Sequence, residues 1–420
     1  MKALARILSF ASLVLAALAR ICLRGTPAVP LLILKLPAGA LSPLLALAGA
    51  LGAALGLARR DPVAAGAGAL GAALAVGHIR RVVAPHDGFA AAFGRDWPAQ
   101  IPARLRPLLH PRRYTPLPPN PPEVPWQRDV VIGMHHETGD VLRADLWEPP
   151  AAVPRTGLAV IYLHGSGWHY LDKDFAGSTR RFFRSLAAQG HVVLDVAYTL
   201  APKARLLPML ADVKRAIAWM KENAAAHGVN PRRIVLAGGS AGGHLALLAA
   251  YTANRPDLQP ADVRGDTAVR GVISYYGVSD LAAMHMTLAT VPYALGTEEM
   301  LARTGFVVQG APPIHARDMI RSLLGGTPEE QPDLCRLGSP IYHVGPHCPP
   351  TLLLHGAHDS GPDPAVQSGR VHAALRAAGV PSVYVELAES EHAFDLLSTR
   401  ISPGFQAALH DVERFLALLV

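Results

Sequence analysis

Gly238-Gly239-Ser240-Ala241-Gly242 sets a serine between residues small enough for a sharp turn. The run Ile234–Ala237 before it is apolar and β-type, and Ala241–Thr252 after it is an apolar helical stretch. A serine at such a strand-to-helix turn is exposed, with the helix N-terminus beside any negative charge that develops next to it. That is the chemistry of a nucleophile attacking a carbonyl carbon. Three more stretches complete it, each following an apolar run. His164-Gly165-Ser166-Gly167-Trp168 follows Leu158–Leu163. Its glycine-rich backbone can aim the N–H groups of Gly165 and Ser166 at an oxyanion, joined by the N–H of Ala241. Leu354-His355-Gly356-Ala357-His358-Asp359 follows Thr351–Leu354, and Ser390-Glu391-His392-Ala393-Phe394 follows Ser382–Leu387. His392 would take the proton from Ser240 and return it to the leaving group, while a carboxylate fixes the imidazole tautomer. Asp359 is the candidate acid, with Asp363 in the same loop as its rival. The chain order Ser240, Asp359, His392 is one in which such triads occur. His164 reads as a structural residue of its loop rather than as a base.

The elements that must hold these residues begin near residue 128. Asp129–Met134 and Val141–Trp147, joined through Thr138-Gly139-Asp140, form a predicted antiparallel hairpin. Leu158–Leu163, Val192–Ala197, Ile234–Ala237, Val272–Tyr276, Thr351–Leu354 and Ser382–Leu387 are short runs suited to strands buried on both faces. Helical stretches alternate with them at Phe175–Gln189, Pro208–His227, Ala241–Thr252 and Pro364–Ala378. This alternation predicts an α/β fold, a mostly parallel central sheet with helices on both faces. Ligands of such sheets bind at the carboxyl ends of the strands, where the four stretches fall. Residues 281–340 interrupt the pattern and carry Met284, Met286, Met300, Phe306 and Met319. They form either a cap over an acyl pocket or a packed surface excursion.

The chain is 420 residues long with a mean hydropathy of +0.23 and a formal net charge of +7. Both excesses lie at the N-terminus. Residues 1–96 carry ten basic and three acidic side chains, and the remainder is balanced. Apolar runs at about 7–23, 31–57 and 62–79 are long enough for two or three membrane-associated helices within residues 1–81. Arg59-Arg60-Asp61-Pro62 makes a turn between the second and third. Basic residues that punctuate apolar runs suit lipid headgroups better than nucleic acid. The competing reading of residues 1–23 is a signal peptide, with Lys2 and Arg6 before Ile7–Ala19 and Ala17-Leu18-Ala19 as its cleavage site. Two further apolar runs directly after it favour an anchor. Residues 82–127 are a proline-rich connector, either a linker or a strap over the following domain. Three cysteines exclude a disulfide framework and leave a single Cys335–Cys348 bridge as the alternative to free thiols. No metal, phosphate or dinucleotide motif is present, so no cofactor is expected.

Across residues 128–420 the chain resembles the carboxylesterase and lipase branch of the α/β-hydrolase family, near the hormone-sensitive-lipase-like and feruloyl-esterase-like enzymes. The resemblance is densest in His164–Trp168, in Ala197-Tyr198-Thr199-Leu200-Ala201-Pro202, and from Asn230 through the Ser240 motif to Leu247. It implies the α/β-hydrolase fold, ester hydrolysis, Ser240, Asp359 and His392 as triad, and Gly165, Ser166 and Ala241 as oxyanion-hole residues. Three departures stand out. Ser166 replaces a glycine of the usual HGGG run, bringing a side chain near the acyl site. Lys203 replaces a glutamate after Leu-Ala-Pro, which changes the charge offered to a nearby ion pair. Ser360–Pro364 replaces the common Val-Pro turn. The expected protein is a membrane-associated serine esterase for small or lipid-like esters. An amide-cleaving relative such as an arylformamidase or serine peptidase is the alternative, and a non-catalytic binding module a more distant one.

Overall fold

The computed structural model describes residues 1–25, 29–135, 138–174, 179–290 and 314–420. Eight strands form one sheet: β1 Trp126–Met134, β2 Val141–Trp147, β3 Ala159–Leu163, β4 Val192–Ala197, β5 Ile234–Gly239, β6 Gly271–Tyr275, β7 Thr351–Gly356 and β8 Ser382–Leu387. Their order is β1-β2-β4-β3-β5-β6-β7-β8. The β1–β2 and β2–β4 pairs are antiparallel, and every later pair is parallel. Chain direction across the sheet reverses between β3 and β5, because β4 pairs on the far side of β3. At such a switch point the loops leaving two adjacent strands part and leave a crevice. Strands β3, β5, β6 and β7 are buried along their whole length, and β4 as far as Val196, so their sequences are mostly apolar. Successive side chains point to opposite faces. Ile161 and Leu163 enter one core with Leu236 and Val272, and Val160 and Tyr162 enter the other with Val235 and Ile273.

Four long helices precede the sheet among the described residues, α1 Lys2–Arg20, α2 Val29–Ala40, α3 Ser42–Ala58 and α4 Pro62–Val82, followed by the short helices Gly88–Phe93 and Trp97–Gln100. The predicted second run is thus two helices, bent by 80° where Leu34–Ala40 gives way to α3. Among the described residues, α1 and α4 are each long and apolar enough to cross a membrane, and the bent pair would make a third crossing. Their mutual contacts are made by small residues. Ser9, Ser12 and Ala16 of α1, Gly49, Gly52 and Gly56 of α3, and Gly68, Gly71 and Ala75 of α4 are buried. Leu4, Ile7, Phe10, Val14, Leu44, Leu47, Leu51, Val63 and Leu70 are exposed. Ser12 Oγ donates to Leu45 O at 2.8 Å across the α1–α3 contact. Asp61 accepts the Ala64 N–H and the Arg6 Nε–H, closing the turn into α4.

The N-terminal cations are not all directed outward, as the composition alone suggests. Arg20 and Arg81 pair with Glu389, Arg24 with Asp363, and Lys35 with Glu391, all in the following domain. The proline-rich segment 82–127 lies along that domain as a strap. Arg113 and His86 bind Asp411, and His110 binds Glu413, both on the C-terminal helix Pro403–Leu419. Between strands, the domain is covered by α5 Arg180–Ala188, α6 Leu206–Glu222, α7 Ala241–Tyr251, α8 Leu281–Thr290, α9 Arg370–Ala377 and α10, the Pro403–Leu419 helix. Of the helix predicted at Phe175–Gln189, residues 175–178 lie outside the described residues, and Arg180–Ala188 is helical. The Pro364–Ala378 helix opens with a wider turn at Ala365–Gly369. Cys335 and Cys348 are buried free thiols, so the alternative of a bridge between them is not realised. Of the candidate cap, Met300 and Phe306 lie outside the described residues.

A Cβ added at Gly52 would stand 2.4 Å from Ser9 Oγ and 2.9 Å from Ser9 N. Gly52→Val is therefore expected to cost at least about 2 kcal/mol through overpacking. Leu51→Val, on the exposed face, should change little. Thermal midpoints of the two variants in detergent compare them, and equal midpoints would rule out the small-residue contact.

Candidate active site

Ser240 sits between β5 and α7 with φ +52° and ψ −117°. This is a backbone shape that a serine adopts only when its surroundings impose it. The imposition is steric. A Cβ on Gly242 would lie 2.0 Å from Leu163 O, and one on Gly238 would lie 2.5 Å from the Gly242 carbonyl carbon. Both positions must be glycine for α7 to start against the ends of β3 and β5. The Ser240 N–H donates to Tyr275 O at 2.9 Å, tying the turn to β6.

The loop after β3 lies alongside. Among the described residues, no acceptor takes the N–H of Gly165, Ser166 or Ala241, the three expected oxyanion donors. Ser166 has φ +90°, and its hydroxyl donates to Tyr170 O in its own loop. The side chain that departs from the usual glycine is thus turned back onto the backbone, although Ser166 still lines the cavity. His164 is buried and stacks on Tyr198, whose hydroxyl donates to His164 O at 2.9 Å. Burial drops its pKa to about 4, so it is a neutral wedge under the loop. Trp168 Nε1 donates to His244 Nδ1, and the other ring nitrogen of His244 binds Gly338 O, linking this loop to α7 and the 281–340 segment. Lys203, the second family departure, pairs with Asp140 of the β1–β2 turn.

The loops after β7 and β8 bring the other two residues in. His392 Nε2 is 3.1 Å from Ser240 Oγ, and His392 Nδ1 is 2.8 Å from Asp359 Oδ2. Asp359 is fully buried, and the Gly361 N–H donates to its other oxygen at 2.8 Å. Asp363 is directed elsewhere: it pairs with Arg24 and caps the N–H groups of Ala365 and Val366. Burial alone would raise the Asp359 carboxyl, but the charge of His392 and hydrogen bonds from His355 and His392 outweigh it and hold the group below the usual carboxylate range. For His392, burial disfavours the charged ring. The Asp359 charge and hydrogen bond override that, and its pKa is raised.

Sequence reasoning passed over several residues that the structure gathers here. His355 Nε2 lies 3.1 Å from Asp359 Oδ2, and its Nδ1 is 2.7 Å from Ser368 Oγ. The signal was present as a second histidine four residues before Asp359. Tyr276 stacks against His392, and its hydroxyl donates to Asp395 at 2.5 Å. Burial raises Asp395 to about 6. A cavity of about 310 Å³ opens on Ser240 and His392, walled by Tyr162, Tyr170, Leu171, Tyr276, Met319 and Leu396. Among the described residues of the candidate cap, Met319 reaches it. No cluster of metal-ligating side chains occurs among the described residues.

Residues 144–375 match the BD-FAE family. The chain belongs to the BD-FAE family. The esterase LipQ of Mycobacterium tuberculosis is 34% identical over 270 residues, which are 64% of this chain and 58% of LipQ. The chain therefore spans less than two thirds of LipQ. Esterase LipC of the same organism is 31% identical over 327 residues, covering 77% of this chain and 70% of LipC. Thermogutta terrifontis esterase 2, solved as the tabun adduct, superposes with a TM-score of 0.52 at 22% identity over 71% of this chain and 96% of its own. That likeness is one of fold. The BD-FAE domain here is an α/β-hydrolase domain of the carboxylic-ester-hydrolase kind.

The electrostatics give a signed prediction. A histidine accepts a proton only when neutral, so reaction of Ser240 with a fluorophosphonate should fall as pH drops through the His392 pKa. With Asp359 present that pKa lies above the ordinary value of about 6.5. In Asp359→Asn the largest opposition to burial is lost, so the acidic limb should move to lower pH, with a maximal rate down by about 10³ to 10⁴. The pH dependence of the labelling rate measures both, and an unmoved limb would contradict the coupling.

Proposed function

We propose that the whole protein is a membrane-anchored carboxylic ester hydrolase in which Ser240 is the nucleophile, His392 the base and Asp359 the orienting acid. The observation that carries this reading is the Asp359–His392–Ser240 chain of contacts, 2.8 and 3.1 Å long, facing a cavity. Ser240 Oγ attacks the ester carbonyl as its proton passes to His392 Nε2. The amides of Gly165, Ser166 and Ala241 receive the negative oxygen, each such donor being worth about 3 kcal/mol in the transition state. His392 returns the proton to the departing alcohol, leaving an acyl-enzyme. A water then loses its proton to His392 and attacks the acyl carbon, releasing the acid and restoring Ser240. The relatives named as esterases support this chemistry.

The membrane part of the reading rests on an inverted packing. Small residues fill the contacts of α1, α3 and α4 while leucine, isoleucine, phenylalanine and valine face outward. In water this leaves apolar area exposed; in lipid it is the arrangement by which helices approach closely. The substrate class is a small-molecule or lipid-like ester. The cavity's walls are mostly aromatic and aliphatic, which suits an uncharged acyl chain.

Ser240→Ala should abolish both fluorophosphonate labelling and p-nitrophenyl ester hydrolysis. Equal labelling of wild type and variant would sink the enzyme reading, and recovery without detergent in the soluble fraction would sink the anchor. Met319, whose Sδ would stand 2.6 Å from a Cβ at Gly167, closes one wall of the cavity. Met319→Ala is expected to shift relative kcat/KM toward bulkier esters by about tenfold, the worth of one or two methylenes. A p-nitrophenyl ester series across acyl lengths checks it.

A further inference from the structure

The first acidic residue of the chain is Asp61, so Lys35 has no acid near it in sequence and stands alone in the apolar helix α2, VPLLILKLPAGA. It is nevertheless 2% exposed. Its Nζ donates to Glu391 Oε1 at 2.6 Å and lies 3.2 Å from His358 Nδ1. Burial first, and then the Lys35 charge, lower His358 to about 4, so the ring is neutral and its nitrogen can accept from the ammonium. Glu391 precedes His392, and His358 precedes Asp359. The second oxygen of Glu391 accepts the Ser360 N–H at 3.1 Å and the Ser360 hydroxyl at 2.7 Å. One buried lysine thus meets the residue before the base and the residue before the acid, and its partner Glu391 bridges the two loops.

Other contacts from the same region converge on these loops. Arg24, between α1 and α2, donates to Asp359 O at 3.0 Å and Ala357 O at 2.7 Å. Glu389 receives Arg20 Nε at 3.2 Å and lies 3.1 Å from His78 Nδ1 of α4. Arg81 also reaches Glu389, from a half-exposed position where an ion pair contributes little. Lys35 differs because it is enclosed. A buried pair is weak as a source of stability, since desolvation offsets the attraction. What such a pair does well is hold two groups in one geometry, and here those groups lie next to His392 and Asp359.

We propose that Lys35 is a positioning residue for ester hydrolysis: through Glu391 and His358 it fixes the loops bearing His392 and Asp359, making the N-terminal helices part of the active centre as well as its tether. The proposal rests on the triad reading above. Lys35 touches neither substrate nor reacting atoms, so its effect is on the alignment of His392 with Ser240. Misplacement of a catalytic group by about 1 Å costs on the order of 10²-fold in rate.

The test uses the full chain in detergent or nanodiscs, with p-nitrophenyl butyrate as substrate and active sites counted by fluorophosphonate titration. Lys35→Met should lower kcat per titrated site by about tenfold or more, with KM within about threefold, since substrate contacts are untouched. The single variant strands Glu391 as a buried charge and lowers the yield of folded protein. Lys35→Met/Glu391→Gln removes that charge, so its thermal midpoint should return toward wild type while kcat per site stays low, because the tie is still missing. A double variant whose kcat per site is within about twofold of wild type would overturn the proposal: the single variant's defect would then be one of folding. Ser240→Ala separates the two readings. Hydrolysis that survives it would refute the triad, whereas loss of hydrolysis in Ser240→Ala with normal kcat in the double variant would refute only the role of Lys35.

Discussion

The contact between Gly242 and the Leu163 carbonyl is the constraint from which the rest of the site follows. With no room for a Cβ there, α7 can begin directly against the end of β3. That approach forces Ser240 into positive φ and turns its side chain out of the sheet. It also sets the start of α7 beside the His164–Trp168 loop, so Gly165, Ser166 and Ser240 line one cavity. The crevice exists because neighbouring strands β3 and β5 send their chains to opposite sides. Local sterics and global topology therefore select the same point. The loops after β7 and β8 need only reach toward it, which they do from two and three strands beyond β5.

How much of this could be read from the residues depends on the range over which each constraint acts. The strands were legible because burial on both faces leaves a continuous apolar run, and β2, β4 and β8 have the predicted limits. Ends that differ, such as β5 continuing to Gly239, differ where a strand runs into glycine and composition carries no boundary. The stretch holding Asp359 was legible from its strand and spacing, but Asp363 remained a rival until Arg24 and the Ala365 N–H were seen to occupy it. That occupation depends on a residue more than three hundred positions away, and no local pattern carries it. The direction of the Ser166 hydroxyl was hidden for a related reason. Residue type announces a side chain, while its positive φ, visible only in the fold, sends it to Tyr170 O.

The N-terminal charge shows the same limit in another form. Counting placed the whole excess of +7 in the first 96 residues and suggested headgroup contacts. Among the described residues, the fold places five of those ten cations against acids, in two sets. Arg6, near the start of α1, closes the Asp61 turn. Arg20, Arg24, Lys35 and Arg81 meet acids of the loops after β7 and β8. The two sets lie at opposite ends of α1, as the up-and-down course of α1, α3 and α4 requires. A domain with balanced charge overall can still concentrate acid locally: Glu389 and Glu391 flank Ser390 just before His392, and Asp363 follows Asp359. Net charge averages over that pattern and conceals it.

A carboxylate beside a catalytic histidine is not neutral in its effects. Glu391 adds to the field that raises His392, as do Asp359 and Asp395. If all three acted unopposed, the ring would tend to hold its proton and serve poorly as a base at neutral pH. Lys35 and the Ser360 donors take up both oxygens of Glu391. Tyr276 donates to Asp395, while burial raises that carboxyl toward its neutral form. Only Asp359 then faces the ring directly, along the Nδ1 hydrogen bond that sets its tautomer. The acids around His392 are thus sorted by their partners into one hydrogen-bonded to the imidazole and two whose charge is directed elsewhere. In this arrangement the cation that performs half of the sorting comes from the apolar N-terminal helices.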